Sequence, residues 1–147
     1  MDILLKIHSI LRYVVLFFLI MSIVRSKTRK GDFDSNLKKP ALFTLISAHI
    51  QLLIGLGLYF SSAIVKIGMS DMGAAMKDKM MRFWTVEHSL GMIIAIVLIT
   101  MGYSSAKKLT TDEAKSKKIF TFYVIALVLI FASIPWPFRG EIARALF

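Results

Sequence analysis

Four long apolar runs, separated by polar segments, dominate the chain. A stretch of about 20 apolar residues crosses the hydrocarbon core of a bilayer as a helix. The runs from Ile3 to Val24, Pro40 to Ser62, Phe83 to Tyr103 and Ile119 to Ile134 are each read as one spanning helix. Pro40 suits a first helical turn. Pro135-Trp136-Pro137 stops the last helix, because each proline lacks an N–H and clashes with the turn before it. The pattern predicts an all-α membrane protein: a single transmembrane domain over residues 1–147, folded as a four-transmembrane-helix up-and-down bundle with short interfacial helices. One interfacial helix is expected in the second connection, Ala63 to Arg82. There Met69, Met72, Met76 and Met80 recur at three- and four-residue spacing, which is one helical face. The tail from Phe138 to Phe147 is a second candidate.

Composition supports this reading. The hydrophobic fraction is 56% and the mean hydropathy +0.69, both concentrated in the four runs. The absence of cysteine excludes disulfides, thiolate metal sites, cysteine nucleophiles and c-type haem attachment. The first run is too long for the apolar core of a signal peptide and is followed by Arg25 to Lys30 rather than a small-residue cleavage site, so it is read as a retained helix.

The net charge of +10 sits in the connections. The first connection, Arg25 to Lys39, holds six Lys/Arg, and the third, Ser104 to Lys118, holds five. An even number of spans separates them, so they share a side. The opposite side carries seven: Lys6, Lys66, Lys77, Lys79, Arg82, Arg139 and Arg144. The positive-inside rule then places both termini outside, which for a bacterial inner membrane is the periplasmic side. No basic helix or aromatic platform stands apart from the spans, so the partner is the lipid bilayer and not nucleic acid.

Ionisable groups within hydrocarbon are expensive and mark candidate sites. Here they are His8, Arg12, His49, Glu87 and His88, with the neutral Gln51. His8 and His88 each lie about five residues inside the same end of spans one and three, hence level, roughly 8 Å deep at the helical rise. Spans one and three are diagonal in an up-and-down bundle, which suits a flat cofactor held between them. The small residues Gly91, Ala95 and Gly102 near the His88 face either let a neighbouring helix approach or leave room for a macrocycle. Arg12 shares the His8 face and leans toward the same end, within reach of a haem propionate, a quinone carbonyl or Glu87. Glu87 is read either as a proton acceptor in quinol oxidation or as the ion-pair partner of Arg12. His49 points about 160° away from Gln51 on span two, so the two face different surroundings. Each histidine alone also fits a plain interhelical hydrogen bond. The methionine stripe fits packing better than Cu(I) binding.

Together, His8-Ser9-Ile10-Leu11-Arg12-Tyr13, His49-Ile50-Gln51-Leu52-Leu53-Ile54-Gly55, Val86-Glu87-His88 and Ile134-Pro135-Trp136-Pro137-Phe138-Arg139 resemble a family of small bacterial four-helix membrane proteins labelled cytochrome b-like. The resemblance covers almost the whole chain. It implies a b-type haem and a link to respiratory or quinone redox chemistry. Large respiratory cytochromes b carry two histidines on each of two helices; this chain has one per helix, so at most one bis-histidine haem fits. The expectation is therefore a small b-type cytochrome in quinone-linked electron transfer, with haem b and quinone as cofactors. In it His8 and His88 are the axial ligands, with Arg12 beside them and His49, Gln51 and Glu87 lining a quinone or proton site. The alternatives are a haem-free accessory subunit of a larger membrane complex and, less favoured, copper or other metal handling.

Overall fold

The computed structural model describes residues 2–28 and 32–144, and among them every regular element is helical. Helix α1 spans Asp2–Thr28, and a π-helical turn at Phe33–Leu37 leads into α2, Lys38–Ser61. Three short helices follow: α3 at Ala63–Ser70, α4 at Met72–Lys77 and α5 at Lys79–Arg82. A second π-helical turn, Phe83–Glu87, opens into α6 at His88–Lys107, and α7 covers Asp112–Ser133. Ile3–Thr28, Phe33–Ser61, Lys79–Lys107 and Asp112–Ser133 are long and apolar enough to cross a membrane. The chain is a multi-pass membrane protein, folded as the all-α bundle that the hydrophobic pattern predicts.

Each spanning segment outruns its apolar run. The fourth begins at Asp112 rather than at Ile119. Thr111 caps it, its hydroxyl accepting from the Ala114 N–H at 3.2 Å, and Asp112 and Glu113 sit in the positive first turn. Lysines then continue the helix through the interface, since their stems favour helix and carry the charge outward. The Phe33 N–H donates to Asp112 Oδ1 at 3.2 Å, so the first and third connections meet at one lysine-rich end. Pro40 lies in the first turn of α2 as expected and cannot donate to the Asn36 carbonyl four residues back; Arg25 of α1 does so instead, at 2.8 Å. Arg29 and Lys30, two of the basic residues read in the first connection, lie outside the described residues.

Helix α1 packs on α2 and α7, and α6 packs on α7 and α2, so α1 and α6 stand diagonally. The α6–α7 contact is the most extensive and the α2–α6 contact the least. Glycine explains the first of these. A Cβ on Gly102 would lie 2.7 Å from the Phe122 Cβ, and one on Gly91 would collide with the Ser133 Oγ. Both positions therefore let α7 approach, and Ala95 between them is fully buried. The face near His88 is filled by a helix, which decides between the two uses expected of these small residues. Across the bundle centre, the buried Tyr123 hydroxyl donates to the Ala41 carbonyl at 2.9 Å. Ser22 and Thr44 meet between α1 and α2 at 3.3 Å.

The methionine segment is three short helices rather than one. Ser62, Asp71 and Asp78 are successive caps that accept from Val65, Ala74 and Met81 N–H at 3.4, 2.9 and 2.7 Å. Each cap restarts the chain and breaks a single methionine face. Met69, Met72, Met76 and Met80 are nevertheless all exposed. The tail corrects the sequence reading: among the described residues it forms only a 3-10 turn at Gly140–Ile142, entered through Gly140 at φ 65°. Residues 145–147 of that expected helix lie outside the described ones. Ile142 is buried, and the Arg144 N–H returns to the Pro135 carbonyl at 3.0 Å, so the tail folds back over the end of the bundle.

Candidate functional site

The closure of α7 builds the site. Its last carbonyls would ordinarily accept from N–H groups four residues on, but Phe131 and Ser133 look toward Pro135 and Pro137, which have none. Side chains supply the missing donors. The Trp136 indole N–H donates to the Phe131 carbonyl at 2.9 Å, and Arg139 donates to the Ala132 and Ile134 carbonyls at 2.7 and 3.1 Å. The Ser133 carbonyl is paired with His88 Nδ1 at 2.8 Å. A carbonyl only accepts, so Nδ1 carries a proton, and in the neutral form of the ring Nε2 is then a bare lone pair. This is the arrangement by which proteins orient an imidazole that binds metal.

The π-helical turn before His88 gives a second constraint. Its wider winding leaves the Thr85 carbonyl to accept from the Tyr59 hydroxyl of α2 at 2.8 Å. Phe83 and Trp84 in the same turn flank the His88 ring at centroid distances of 5.8 and 5.6 Å. Arg139 lies over Phe83 at 5.1 Å and Arg144 over Trp84 at 4.7 Å, so the folded-back tail covers this side of the histidine.

His8 of α1 meets His88 across the bundle. The ring centroids are 6.5 Å apart, with planes inclined at 67°. The matched depth inferred from the sequence is therefore a direct approach. Gly55 of α2 makes room beside His8: a Cβ there would stand 3.2 Å from His8 Cε1. The Nδ1 of His8 is buried and, among the described residues, has no hydrogen-bond partner. Two imidazoles that bind one iron from opposite faces stand about 6 Å apart between centroids, from two metal–nitrogen bonds of about 2 Å and about 1 Å of ring on each side. The observed spacing, the oriented His88 and the unpartnered His8 nitrogen fit such a group.

The other polar residues disperse around this pair. Arg12 stays on the His8 face of α1, with its guanidinium carbon 4.9 Å from the Tyr13 ring centroid. Gln51 turns to α1 and donates from Nε2 to the His8 carbonyl at 2.8 Å, while its buried Oε1 has no partner among the described residues. Glu87 pairs with Arg82 at 2.7 Å, not with Arg12, because the wide turn carries it outward to an exposed position. His49 is exposed on the far side of α2, in a groove against α6, with Nδ1 on the Leu45 carbonyl at 2.8 Å. The single quinone or proton site expected from His49, Gln51 and Glu87 is thus three separate places. Among the described residues, no group of three or more His, Asp or Glu side chains forms a metal cage.

Sequence reasoning missed Ser133 and Tyr59, and it placed Gly55 in a motif of span two without its contact with His8. The signal for Ser133 was present: it lies four residues before Pro137, so its carbonyl was bound to need a foreign donor. No protein-family model, curated protein or solved structure matches the chain.

Proposed function

We propose that the chain is a small b-type cytochrome of a bacterial inner membrane, moving electrons between the quinone pool and a partner on the side where both termini lie. What supports the reading is one observation: His8 and His88, on diagonal helices, face each other at 6.5 Å. His8 and His88 would hold the iron, and Arg12 would neutralise a propionate. Bound there, haem b supplies one-electron redox chemistry at a potential set by its ligands and surroundings. The chain's own residues do the rest. Ser133 fixes the His88 tautomer through its carbonyl, Gly55 leaves the His8 ring its place, and Phe83, Trp84 and the tail keep water from the His88 side. The excess of lysine and arginine at the opposite end supports an orientation with both termini outside.

Absorption spectra of oxidised and reduced protein, purified after haem-replete expression, test the proposal. A Soret band and a sharp reduced α-band that vanish in His8→Ala and His88→Ala are expected. Their absence from the parent protein would overturn it. That result would favour a second reading, a haem-free accessory subunit of a larger membrane complex. The edge-on inclination of the two rings, 67°, is also that of an ordinary packing contact between helices and supports that reading.

A further inference from the structure

Between α2 and α6, where the bundle is least tightly joined, a groove of about 290 Å³ opens to the lipid face. His49 and Leu52 wall it from α2, and Ile96, Val97, Thr100 and Met101 from α6. Only two side chains there hydrogen-bond strongly, and both are already committed as donors. His49 Nδ1–H is spent on the Leu45 carbonyl at 2.8 Å, and the Thr100 hydroxyl on the Ile96 carbonyl at 2.8 Å. With Nδ1 carrying the proton of a neutral imidazole, Nε2 of His49 is an acceptor, the Thr100 oxygen likewise has only lone pairs to offer, and Met101 adds a weak thioether acceptor. Among the described residues no group bonds His49 Nε2. His49 lies two residues from the centre of the Phe33–Ser61 span, about 3 Å along the axis, so neither water nor lipid headgroups reach it. The groove is apolar, ring-sized and accepting only.

We infer that this groove binds a lipid-soluble molecule whose ring-shaped head carries a hydroxyl donor, held by an O–H···Nε2 bond to His49. Hydroquinones and other membrane-dissolved phenols share that chemistry. The inference does not need haem. Only if the occupant is a hydroquinone does it name the electron donor for the proposed cytochrome, and to that extent it rests on that reading.

The test uses the full chain in lipid nanodiscs, labelled with ¹⁵N-histidine and titrated under reducing conditions. Three probes are compared: a decyl-substituted benzohydroquinone, 4-decylphenol, and the dimethyl ether of the hydroquinone. The hydroxyl probes are expected to move the His49 Nε2 resonance saturably, and the ether to leave it in place. Their relative affinities separate hydroquinone from phenol as the source. His49→Phe should weaken hydroquinone binding by about tenfold or more, as for loss of a desolvated hydrogen bond. Leu52→Trp, which fills the groove but keeps His49, should abolish the shift. An unmoved Nε2 with both hydroxyl probes, or equal binding of the ether, overturns the inference. So does an Nε2 resonance that depends on protein-to-lipid ratio without probe, which would mean that a partner helix supplies the donor. The Soret band recorded on the same sample reports separately on the haem reading.

Discussion

Gly55 of α2 lies against the His8 ring of α1, so closely that a Cβ on it would stand 3.2 Å from Cε1. That distance is tighter than ordinary van der Waals contact, so any larger residue moves the ring. The ring is attached to a helix backbone that Gln51 also grips, through the His8 carbonyl at 2.8 Å. In the cytochrome proposed above, Gly55→Ala should displace the ring by a few tenths of an ångström and leave the haem absorbance largely intact. Gly55→Val should weaken haem retention about 10–100-fold, the range for disturbing the support of a metal ligand. The absorbance after detergent washing, with helix content followed by circular dichroism, checks both. Equal retention in the two variants would mean that His8 is not held by this contact.

Gly91 and Gly102 face the same helix but meet different neighbours, and this orders their substitutions. A Cβ on Gly102 meets the Cβ and ring of Phe122, which cannot withdraw without moving α7. A Cβ on Gly91 meets first the Ser133 Oγ, which rotates away, and then the Ser133 Cβ at 3.3 Å. Gly102→Ala is therefore expected to destabilise the bundle by about 1–3 kcal/mol, as overpacking does, and Gly91→Ala by less. Thermal unfolding in one detergent gives the order directly.

The spans were legible because hydropathy and length are local properties, and a bilayer imposes both. The level of His8 and His88 was legible too, since helical rise converts sequence position into depth. Partners were not legible. Arg12 stood one helical turn from His8 and looked free to reach Glu87, but the π-helical turn at Phe83–Glu87 rotates Glu87 toward Arg82. Nothing in periodicity announces such a turn, whose visible partners, Tyr59 and the tail, are distant in sequence. The tail misled for a related reason. Its apolar and basic residues suit an interfacial helix, whereas Arg139 is taken up by the open carbonyls of α7.

The Arg82–Glu87 pair gives a prediction in double-mutant form. Its side chains are 33% and 46% exposed, so solvent and salt screen it. Replacing Arg82 and Glu87 by Gln, singly and together, should yield a coupling of about 0.2–1 kcal/mol in unfolding free energy, falling with added salt. The same cycle on Arg12 and Glu87 should give no coupling. A coupling at Arg12 larger than at Arg82 would restore the ion pair expected from the sequence.

Arg139 carries the last prediction, because it joins the closure of α7 to the surroundings of His88. Its Nη1 serves two carbonyls, at 2.7 and 3.1 Å, and its guanidinium carbon lies 5.1 Å from the centroid of Phe83, a ring that in turn flanks His88 at 5.8 Å. Nη1 lies one bond farther from the backbone than a lysine ammonium and belongs to a flat group, so lysine keeps the charge but neither the full reach to the two carbonyls nor the flat group over Phe83. Arg139→Ala should lower stability by about 1–3 kcal/mol, from hydrogen bonds to a charged donor and the lost cation–π contact. Arg139→Lys should recover less than half of that. If the guanidinium acts only as a cap, the ¹⁵N resonances of His88 stay put in both variants while the unfolding temperature falls. If it also fixes Phe83, the His88 resonances shift in parallel with stability, and the Phe83→Leu variant reproduces the shift without breaking the cap.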